Sequence, residues 1–389
     1  MYNLEKTFDR RSTMSKKLTY GMVGGGPDGF IGDAHRRAIA LNMNAFPAAG
    51  CFSRDPEKSR ITADMLGIDP ARCYADYAQM AQAESAREDG IDFAVVVTPN
   101  ASHFEICKAF LEAGIHVACD KPVTVSLAQA KELQHLAEEK GLLFMVTYTY
   151  MGNVTAKDIR DLIRQGEIGA VRMVMAEYPQ GWLAHETDDG GWHSDPAQGG
   201  RVNCLGDLGT HVENAVATMT GLRIRRVLAK MDKKVPGHIL DDNDSILVEY
   251  EGGASGIYWT SQMAIGSANS LRVRIYGEKG TVEWFQEYPE DVTLIGPDGS
   301  RKKIKRGSAV TAYAARYNRL PAGHPEGWYE SMGNLYSSFT RCILAKQDGT
   351  FTEDMIDHPT ILDGVHGMAF VEACLQSAEK GGVWTDIED

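Results

Sequence analysis

The feature that most constrains the fold is a run of glycines between a short apolar segment and a helical pattern. Residues 18–23 are mostly apolar (LTYGMV), glycines recur from Gly24 to Gly32, and a helical pattern follows over residues 33–40. Strand, glycine-rich turn and helix in this order are typical of the start of a dinucleotide-binding unit. The glycines let the backbone approach a pyrophosphate, and the helix presents its first amides to it. A glycine-rich hairpin is the alternative interpretation.

The glycine spacing departs slightly from the usual pattern. Gly24, Gly26 and Gly29 satisfy it literally, but residues 27–29 look inserted. The glycine that packs the helix on the strand is then expected to be Gly32. The predicted phosphate-binding residues are Gly24, Gly26, Phe30, Ile31 and Gly32.

Strands and helices continue to alternate after this turn. A turn with apolar flanks is expected over residues 48–54. Buried strands and amphipathic helices are then predicted in turn over residues 93–97, 104–113, 116–119, 127–140 and 143–147. This spacing indicates a doubly wound parallel sheet over residues 18–147, the dinucleotide-binding Rossmann domain. Residues 1–17 are predicted to be a polar N-terminal arm.

From residue 148 onward the pattern changes to strands that alternate polar and apolar residues. These strands are predicted over residues 171–178, 224–233, 244–250, 255–262, 271–276, 281–285 and 292–295. Such alternation, joined by short glycine turns, is typical of an antiparallel sheet with one covered face. With helices at 154–164 and at about 328–346 and 360–380, residues 148–389 are predicted to form an α+β domain with a large open antiparallel sheet. The fold class is therefore α/β.

The composition excludes several classes of protein. There are 53 Asp and Glu residues against 40 Lys and Arg, and the formal charge of −13 repels nucleic acids and anionic membranes. No stretch reaches the roughly 18 apolar residues of a membrane span. Seven cysteines without a Cys-x-x-Cys pair indicate reduced thiols. The Arg10-Arg11 pair lacks the apolar stretch of an export signal. We expect a cytoplasmic protein with no nucleic-acid or membrane partner.

The end of the second strand should decide between NAD and NADP. An acidic side chain there hydrogen-bonds the ribose hydroxyls of NAD, whereas Arg or Ser accommodates the 2′-phosphate of NADP. The sequence offers Ser53 and Arg54, followed by Asp55, which also suits the N-cap of the next helix. The choice of cofactor stays open, with a slight preference for NAD.

Two polar motifs follow neighbouring buried strands. The first comprises Thr98, Pro99, Asn100 and His103, and the second is Asp120-Lys121-Pro122. Both are expected at the carboxyl ends of parallel strands, where sheets of this type bind ligands. Pro122 keeps Lys121 extended, so that its ammonium is aimed rather than free on a helix surface. An exposed loop lysine is the alternative.

Residues 206–211 (GDLGTH) place a carboxylate and an imidazole four residues apart. If a helix begins near Asp207, then Asp207 and His211 share one face. A carboxylate beside an imidazole orients it and raises its basicity, as a general base requires. The alternative is Asp207 as an N-cap with His211 as an ordinary helix residue. A third ligand at a telling spacing is missing, so no metal site is predicted.

Together these motifs resemble the Gfo/Idh/MocA family, named for glucose–fructose oxidoreductase, inositol dehydrogenase and a rhizopine-catabolism protein. The resemblance covers nearly the whole chain, and its most specific parts are Asp120-Lys121-Pro122 and Asp207…His211. It implies a Rossmann domain followed by an open antiparallel sheet that often makes oligomer contacts, and hence a homo-oligomer (dimer, tetramer or higher). The loop insertion, and the lack of an Arg in residues 148–152, depart from the family pattern.

The resemblance also implies an oxidoreductase that uses NAD or NADP, which some relatives keep tightly bound. It implies that Lys121 lies near the nicotinamide and the substrate, that His211 accepts the proton, and that Asp207 orients substrate and base. The cofactor-binding positions beyond the glycine turn are then Ser53, Arg54, Thr98, Pro99, Asn100, His103 and Lys121.

The expected substrate is a sugar, cyclitol or glycoside that is oxidised at a secondary ring hydroxyl, such as the 3-position. Aromatic side chains beside polar groups suit sugar rings. The predicted substrate-binding residues are Lys121, Tyr150, Trp182, Trp192, His193, Asp207, His211 and His324. Packing of the two tryptophans as a loop core, and a simple helix entry at His324, are the alternatives.

Two other functions use the same chemistry. A redox-assisted glycoside hydrolase and a sugar-to-sugar transhydrogenase both need Lys121 and His211, but neither accumulates reduced cofactor. Only the fate of the hydride separates them from a dehydrogenase. A nucleotide sensor without catalysis is a third hypothesis, and the intact set of Lys121, Asp207 and His211 argues against it.

Overall fold

The computed structural model describes residues 17–188 and 190–388, so the predicted N-terminal arm lies outside the described residues except for Lys17. The first sheet has five parallel strands in the order β2-β1-β3-β4-β5. They are β1 (Leu18–Gly24), β2 (Ala45–Cys51), β3 (Phe93–Val97), β4 (His116–Cys119) and β5 (Phe144–Val146). The predicted parallel sheet is confirmed, although β2 occupies much of the stretch predicted to be a turn.

In the described residues, five α-helices lie between these strands in the sequence. They are α1 (Phe30–Ala40), α2 (Pro56–Leu66), α3 (Tyr77–Ser85), α4 (His103–Glu112) and α5 (Leu127–Lys140). Residues of β3 point alternately into two separate apolar cores: Phe93 and Val95 belong to one, and Ala94 and Val96 to the other. Both faces of the sheet are therefore covered, which explains why the strand reads as an unbroken apolar run.

The second sheet has nine strands in the order β13-β12-β11-β10-β6-β9-β8-β7-β14. They are β6 (Val171–Pro179), β7 (Ile224–Asp232), β8 (Asn243–Tyr250), β9 (Ser255–Ser261), β10 (Arg272–Gly277), β11 (Thr281–Phe285), β12 (Asp291–Ile295), β13 (Arg301–Lys305) and β14 (Thr385–Asp386). The predicted large antiparallel sheet is confirmed as mostly antiparallel, and β6 and β9 are a parallel pair within it. The β7-β8-β9 meander brings β9 back beside β6 in the same direction. Strands β13 and β14 were not predicted.

In the described residues, six further α-helices follow β5 in the sequence. They are α6 (Val154–Arg164), α7 (Pro196–Gly199), α8 (Thr210–Thr220), α9 (Ala312–Ala315), α10 (Trp328–Gln347) and α11 (Ile361–Glu379). Strand residues alternate in burial, so that Ile246 and Val248 are buried while Leu247 between them is 44% exposed. On the covered face, Tyr258 of β9 contacts Phe370 of α11 at 6.0 Å between ring centroids. One face of the sheet is thus packed, as the alternation predicts.

Helix α10 packs on the first sheet, although it follows the second sheet in sequence. Its Phe339 ring lies edge-on to Phe93 of β3 at 5.5 Å, and Tyr336 shares the same buried core. The chain therefore returns to its first domain to cover one sheet face. Within the described parts of the chain, no helix is long and apolar enough to cross a membrane.

Candidate active site

The centre of the site is an ion pair between Lys121, just after β4, and Asp207, just before α8. The Lys121 ammonium lies 2.5 Å from one carboxylate oxygen of Asp207 and donates to the Asp207 carbonyl at 3.0 Å. Burial would raise the pKa of Asp207, but Lys121 outweighs it and lowers this pKa to about 2. Burial would likewise lower the pKa of Lys121, but Asp207 and Asp120 raise it above its ordinary value. Both groups are therefore charged at neutral pH.

The second oxygen of Asp207 is held by Gln262, which directly follows β9. The Gln262 amide nitrogen donates to it at 3.1 Å, and the Gln262 side chain is fully buried. With Lys121 on one oxygen and Gln262 on the other, the carboxylate is fixed in orientation. Gln262 was not predicted as a site residue. Its sequence signal is a polar residue at the end of the strand predicted over residues 255–262.

The stretch that carries Asp207 is not the regular helix that the sequence predicts. Residues Leu205–Gly209 form a π-helical turn, and α8 begins at Thr210. A π-helical turn is wider than an α-helical one, so the i, i+4 alignment expected for Asp207 and His211 does not apply. Within the described chain, no hydrogen bond joins these two side chains. The predicted orientation of His211 by Asp207 is therefore corrected. Burial and Lys121 lower the His211 pKa, and Asp207 acts on His211 through its charge, which only partly opposes them.

Tyrosine rings, rather than a carboxylate, hold the ring of His211 in place. Its centroid lies 4.9 Å from that of Tyr150, 5.7 Å from Tyr148 and 5.9 Å from Tyr178. Burial and then the Lys121 ammonium lower the pKa of His211 well below its ordinary value, and Asp207 only partly opposes them. The imidazole is thus neutral at neutral pH, which is the form that accepts a proton.

A buried cluster of Cys204, Asp241 and Asp244 lies against the π-helical turn, with its ligand-type atoms within 4.8 Å of one another. Asp241 accepts the backbone amides of Asn203 at 2.7 Å and Leu205 at 2.6 Å, and Asp244 accepts the Thr260 hydroxyl at 3.0 Å. Burial and the neighbouring Asp241 raise the pKa of Asp244 well above its ordinary value. Hydrogen bonds account for this cluster as a support for the turn, and we assign no metal to it.

The loop between β6 and α7 brings aromatic residues to the ion pair. The His193 ring stacks on Trp192 at 3.7 Å and lies edge-on to Trp182 at 5.9 Å. Burial lowers the pKa of His193, while the charge of Asp207 raises it, which places His193 near the ion pair. The tryptophans do not form a loop core, because Trp182 is 40% exposed. Trp182, Trp192 and His193 therefore remain predicted substrate contacts.

The glycine turn fits a bound dinucleotide. A Cβ on Gly32 would lie 2.3 Å from the Cα of Gly25, and one on Gly24 would lie 2.5 Å from the Val97 carbonyl oxygen. No side chain caps the first amides of α1, which begins at Phe30. A helix N-terminus with uncapped amides beside a closely packed glycine turn suits a pyrophosphate. The glycine turn and the first amides of α1 would thus hold the pyrophosphate of NAD.

The segment after β2 contains hydroxyl and basic groups. The Asp55 carboxylate accepts hydrogen bonds from the backbone amides of Glu57 and Lys58. It thus caps α2, which is the N-cap role that the sequence suggests for it. The Ser53 hydroxyl accepts the amide of Asp55 at 3.1 Å. Lys58 pairs with Asp28 of the inserted loop residues at 2.5 Å. The Asp55 carboxylate is thus occupied as a cap, and Ser53 and Arg54 stay the predicted contacts to the adenosine ribose.

His103 lies inside the protein rather than at a ligand surface. It is 1% exposed, and its two ring nitrogens lie 2.9 Å from the Pro122 carbonyl and 2.8 Å from the Thr98 carbonyl. A direct cofactor contact for His103 is therefore corrected to an indirect role. The ring joins the loop after β3 to the loop that carries Lys121. Asn100 of the first loop donates to the Gly199 carbonyl at 3.3 Å, and Thr98 and Pro99 stay predicted cofactor contacts.

His324 lies in the segment before α10. It is exposed, and its carbonyl accepts a hydrogen bond from Arg306 at 2.5 Å. None of its described contacts involves Lys121, Asp207 or His211. Its predicted substrate contact therefore finds no support within the single described chain.

Comparison with known proteins gives matches along most of the chain. Residues 18–148 match the Gfo/Idh/MocA family model, described as an oxidoreductase family with an NAD-binding Rossmann fold, and residues 156–283 match the model of that family's C-terminal domain. An uncharacterized oxidoreductase of Bacillus subtilis, YfiI, is 36% identical, with 96% of this chain and 98% of the relative covered. Levoglucosan dehydrogenase of Pseudarthrobacter phenanthrenivorans is 25% identical over the same shares.

The fold has counterparts among solved structures. An inositol dehydrogenase homologue from Azotobacter vinelandii, crystallised with NADH and myo-inositol, is 35% identical. Its TM-score is 0.90, with 95% of this chain and 98% of that chain covered. An oxidoreductase from Sinorhizobium meliloti is 40% identical with a TM-score of 0.87, with 95% of this chain and 99% of that chain covered.

Proposed function

Because the chain belongs to the Gfo/Idh/MocA family of oxidoreductases with an NAD-binding Rossmann fold, we propose that it oxidises a secondary ring hydroxyl of a sugar, cyclitol or glycoside with NAD. Two similar proteins support this substrate class. One is named levoglucosan dehydrogenase, and the other is an inositol dehydrogenase homologue that binds NADH and myo-inositol. Both ligands are ring polyols with secondary hydroxyls.

The observation that carries the proposal is a charged Lys121–Asp207 pair next to a neutral His211. Oxidation of a carbinol requires a base for the hydroxyl proton and a positive charge for the oxygen that loses it. The low pKa of His211 supplies a base that is free of its proton at neutral pH. Because the pKa of Lys121 is raised, its ammonium stays charged at neutral pH.

In this mechanism the residues divide the work. His211 takes the hydroxyl proton of the substrate, and the Lys121 ammonium stabilises the oxygen as negative charge develops on it. Asp207 keeps Lys121 charged and in place, and Gln262 keeps Asp207 in place. NAD held by the glycine turn would supply the acceptor for the hydride of the carbinol carbon. The tyrosine rings around His211 exclude water and keep its pKa low.

A polyol panel with NAD tests the proposal. myo-Inositol, levoglucosan and free hexoses are offered separately to the protein, and nicotinamide absorbance and product are followed in the same tube. Reduced cofactor should accumulate in step with a keto product. The Lys121→Met variant should lose on the order of 100- to 1000-fold in kcat, because one stabilising donor is removed. Its NAD affinity should change little.

The control is Lys279→Met, which removes a lysine at the turn between β10 and β11. It should leave both turnover and NAD affinity unchanged. Full turnover in Lys121→Met would remove Lys121 from the mechanism. Product that appears without reduced cofactor would contradict a dehydrogenase and would favour redox-assisted hydrolysis or transfer between two sugars.

A further inference from the structure

A chain of side-chain hydrogen bonds runs from the surface to the wall of the site. The Trp182 indole donates to the side-chain oxygen of Gln180 at 2.8 Å, and the Gln180 amide nitrogen donates to the side-chain oxygen of Asn269 at 2.8 Å. The Asn269 amide nitrogen then donates to the Tyr150 hydroxyl at 2.9 Å. The chain ends beside His211, since the Tyr150 and His211 rings are 4.9 Å apart.

The direction of every bond in this chain follows from Trp182. An indole N–H donates and cannot accept. Gln180 must therefore turn its oxygen toward Trp182 and its nitrogen toward Asn269. For the same reason Asn269 must turn its oxygen toward Gln180 and its nitrogen toward Tyr150. The two amide orientations, which are otherwise ambiguous in proteins, are thus determined by a group that can only donate.

Tyr178 completes the assignment. Its hydroxyl lies 2.5 Å from the Asn269 side-chain oxygen, which accepts only, so Tyr178 donates its single hydrogen there. The Tyr150 and Tyr178 hydroxyls are 2.6 Å apart, and the hydrogen between them must then come from Tyr150. Tyr150 accordingly donates to Tyr178 and accepts from Asn269. Its remaining hydrogen-bonding capacity is one lone pair, and it has no hydrogen left to donate.

Burial and nearby charges keep the Tyr150 hydroxyl protonated and in place. The pKa of Tyr150 is raised by burial, so its hydroxyl keeps its hydrogen at neutral pH, and it responds to the charges of Lys121 and Asp207. The backbone amide of Asn269 donates to Glu287 at 2.9 Å, which anchors the loop before β10. The Tyr150 hydroxyl is therefore a fixed acceptor close to the ion pair.

We propose that Asn269, with Gln180 and Trp182 behind it, makes Tyr150 an obligate hydrogen-bond acceptor in the substrate site. The substrate must then present a hydroxyl hydrogen at that position. Polyols that carry fluorine, hydrogen or a methoxy group there are discriminated against. Asn269 is a positioning residue, and Tyr150 makes the contact. The substrate named in this inference rests on the proposed polyol oxidation. The direction of the hydrogen bonds is independent of that proposed function.

Neutron diffraction from the substrate-free protein in D2O tests the direction by itself. Tyr150 should carry a deuteron that points to the Tyr178 oxygen, and Tyr178 should carry one that points to the Asn269 side-chain oxygen. The Asn269 side-chain atom that faces Tyr150 should be the nitrogen, recognised by its two deuterons. A deuteron that points from Tyr150 into the site would overturn the proposal, whatever the enzyme oxidises.

Kinetics with fluorinated substrates tests the consequence. myo-Inositol and levoglucosan are each compared with their monodeoxyfluoro analogues, because C–F can accept but cannot donate. Of the analogues that keep the reacting hydroxyl, one should lose at least about 100-fold in kcat/KM with the wild-type protein. In Tyr150→Phe that loss should shrink to within about threefold, because no acceptor remains to be left unpaired. Tyr288→Phe, which alters an exposed tyrosine, should keep the wild-type pattern.

Asn269→Leu separates positioning from a merely structural role. Without the Asn269 oxygen, Tyr178 can donate to Tyr150, and the hydrogen of Tyr150 becomes available to fluorine, so the loss for that analogue should shrink. A loss equal to that of the wild-type protein would overturn the role of Asn269. If wild-type protein oxidises no polyol, the proposed function fails, and the neutron result still decides the direction of the hydrogen bonds.

Discussion

Replacing Gln262 with Glu should give the enzyme a pH dependence that the wild-type protein lacks. The Gln262 amide nitrogen donates to Asp207 at 3.1 Å and does not titrate. Glutamate places an oxygen where that nitrogen stands. While the new carboxyl is protonated it donates to Asp207 as the amide does, and once it ionises the two carboxylates repel each other.

The size of the effect follows from the distance. Two unit charges 3.1 Å apart interact by about 5 kcal/mol at an effective dielectric constant of about 20. At about 1.4 kcal/mol per unit, this raises the pKa of the new carboxyl by up to about 4 units, to about 8. Lys121 attracts both carboxylates and reduces this shift. We therefore expect a titration between about pH 6 and 8, since Asp207, with its pKa lowered to about 2, stays ionised throughout.

The assay is kcat/KM for the best polyol from the panel, measured from pH 5 to pH 10 by roughly one-unit steps. For Gln262→Glu, activity should be near wild type on the acid side, because the donor is present below the raised pKa. It should fall as the pH rises through that pKa. Gln262→Met lacks a donor at every pH and should lose about 10- to 150-fold uniformly, the cost of a hydrogen bond to a charged group.

The two variants together make the reasoning refutable. If Gln262→Glu and Gln262→Met show the same flat profile, the hydrogen bond to Asp207 does not position the ion pair. If both retain full activity, the Gln262 hydrogen bond has no part in holding Asp207 for the reaction. Thermal unfolding of both variants at pH 6 and pH 9 separates a loss of activity from a loss of folded protein.

Three further expectations come from the same site. Lys121→Met should raise the pKa of His211, because Lys121 lowers it, and an NMR titration of the imidazole that shows no shift would contradict this. Ser53→Asp should lower the NADP-to-NAD preference roughly tenfold relative to Ser53→Asn, because a carboxylate repels the 2′-phosphate; an unchanged ratio would place the ribose elsewhere. Gly32→Ala puts a methyl group 2.3 Å from the loop backbone and should weaken NAD binding at least about tenfold. Gly29→Ala, whose methyl group would have its nearest neighbour at 3.4 Å, should bind NAD more tightly than Gly32→Ala.

The sequence predicts β3, β4 and β5 well because each of them is short, mostly apolar and close to a predicted helix, whereas β2, which contains Pro47 and is partly exposed, was expected to be a turn. Lys121 could be placed for the same reason: it follows a buried strand, and the carboxyl ends of parallel strands lie on one edge of a sheet. The strands of the second sheet and their pairing are harder to predict from the sequence. The charged segment 301–305 and the two-residue strand β14 lack a strand pattern, and parallel pairing of β6 with β9 depends on the path of the chain between them.

Contacts between distant residues limited the prediction of the site. Lys121 meets Asp207 across 86 positions, and Gln262 meets Asp207 across 55. No local pattern encodes these distances. The sequence also does not predict the π-helical turn, because its residues fit the first turn of an ordinary α-helix. The expected Asp207–His211 contact was inferred from α-helical spacing, and it failed where the spacing changed.

Whether a hydroxyl donates or accepts a hydrogen bond cannot be predicted from the sequence. A tyrosine donates or accepts, so naming Tyr150 as a substrate contact says nothing about which groups the substrate must carry. That choice depends on Trp182, a donor that cannot accept, and is transmitted through Gln180 and Asn269. A single indole at the surface therefore sets what a hydroxyl beside His211 can bind. Specificity among ring polyols would therefore follow from residues outside the set of Lys121, Asp207 and His211.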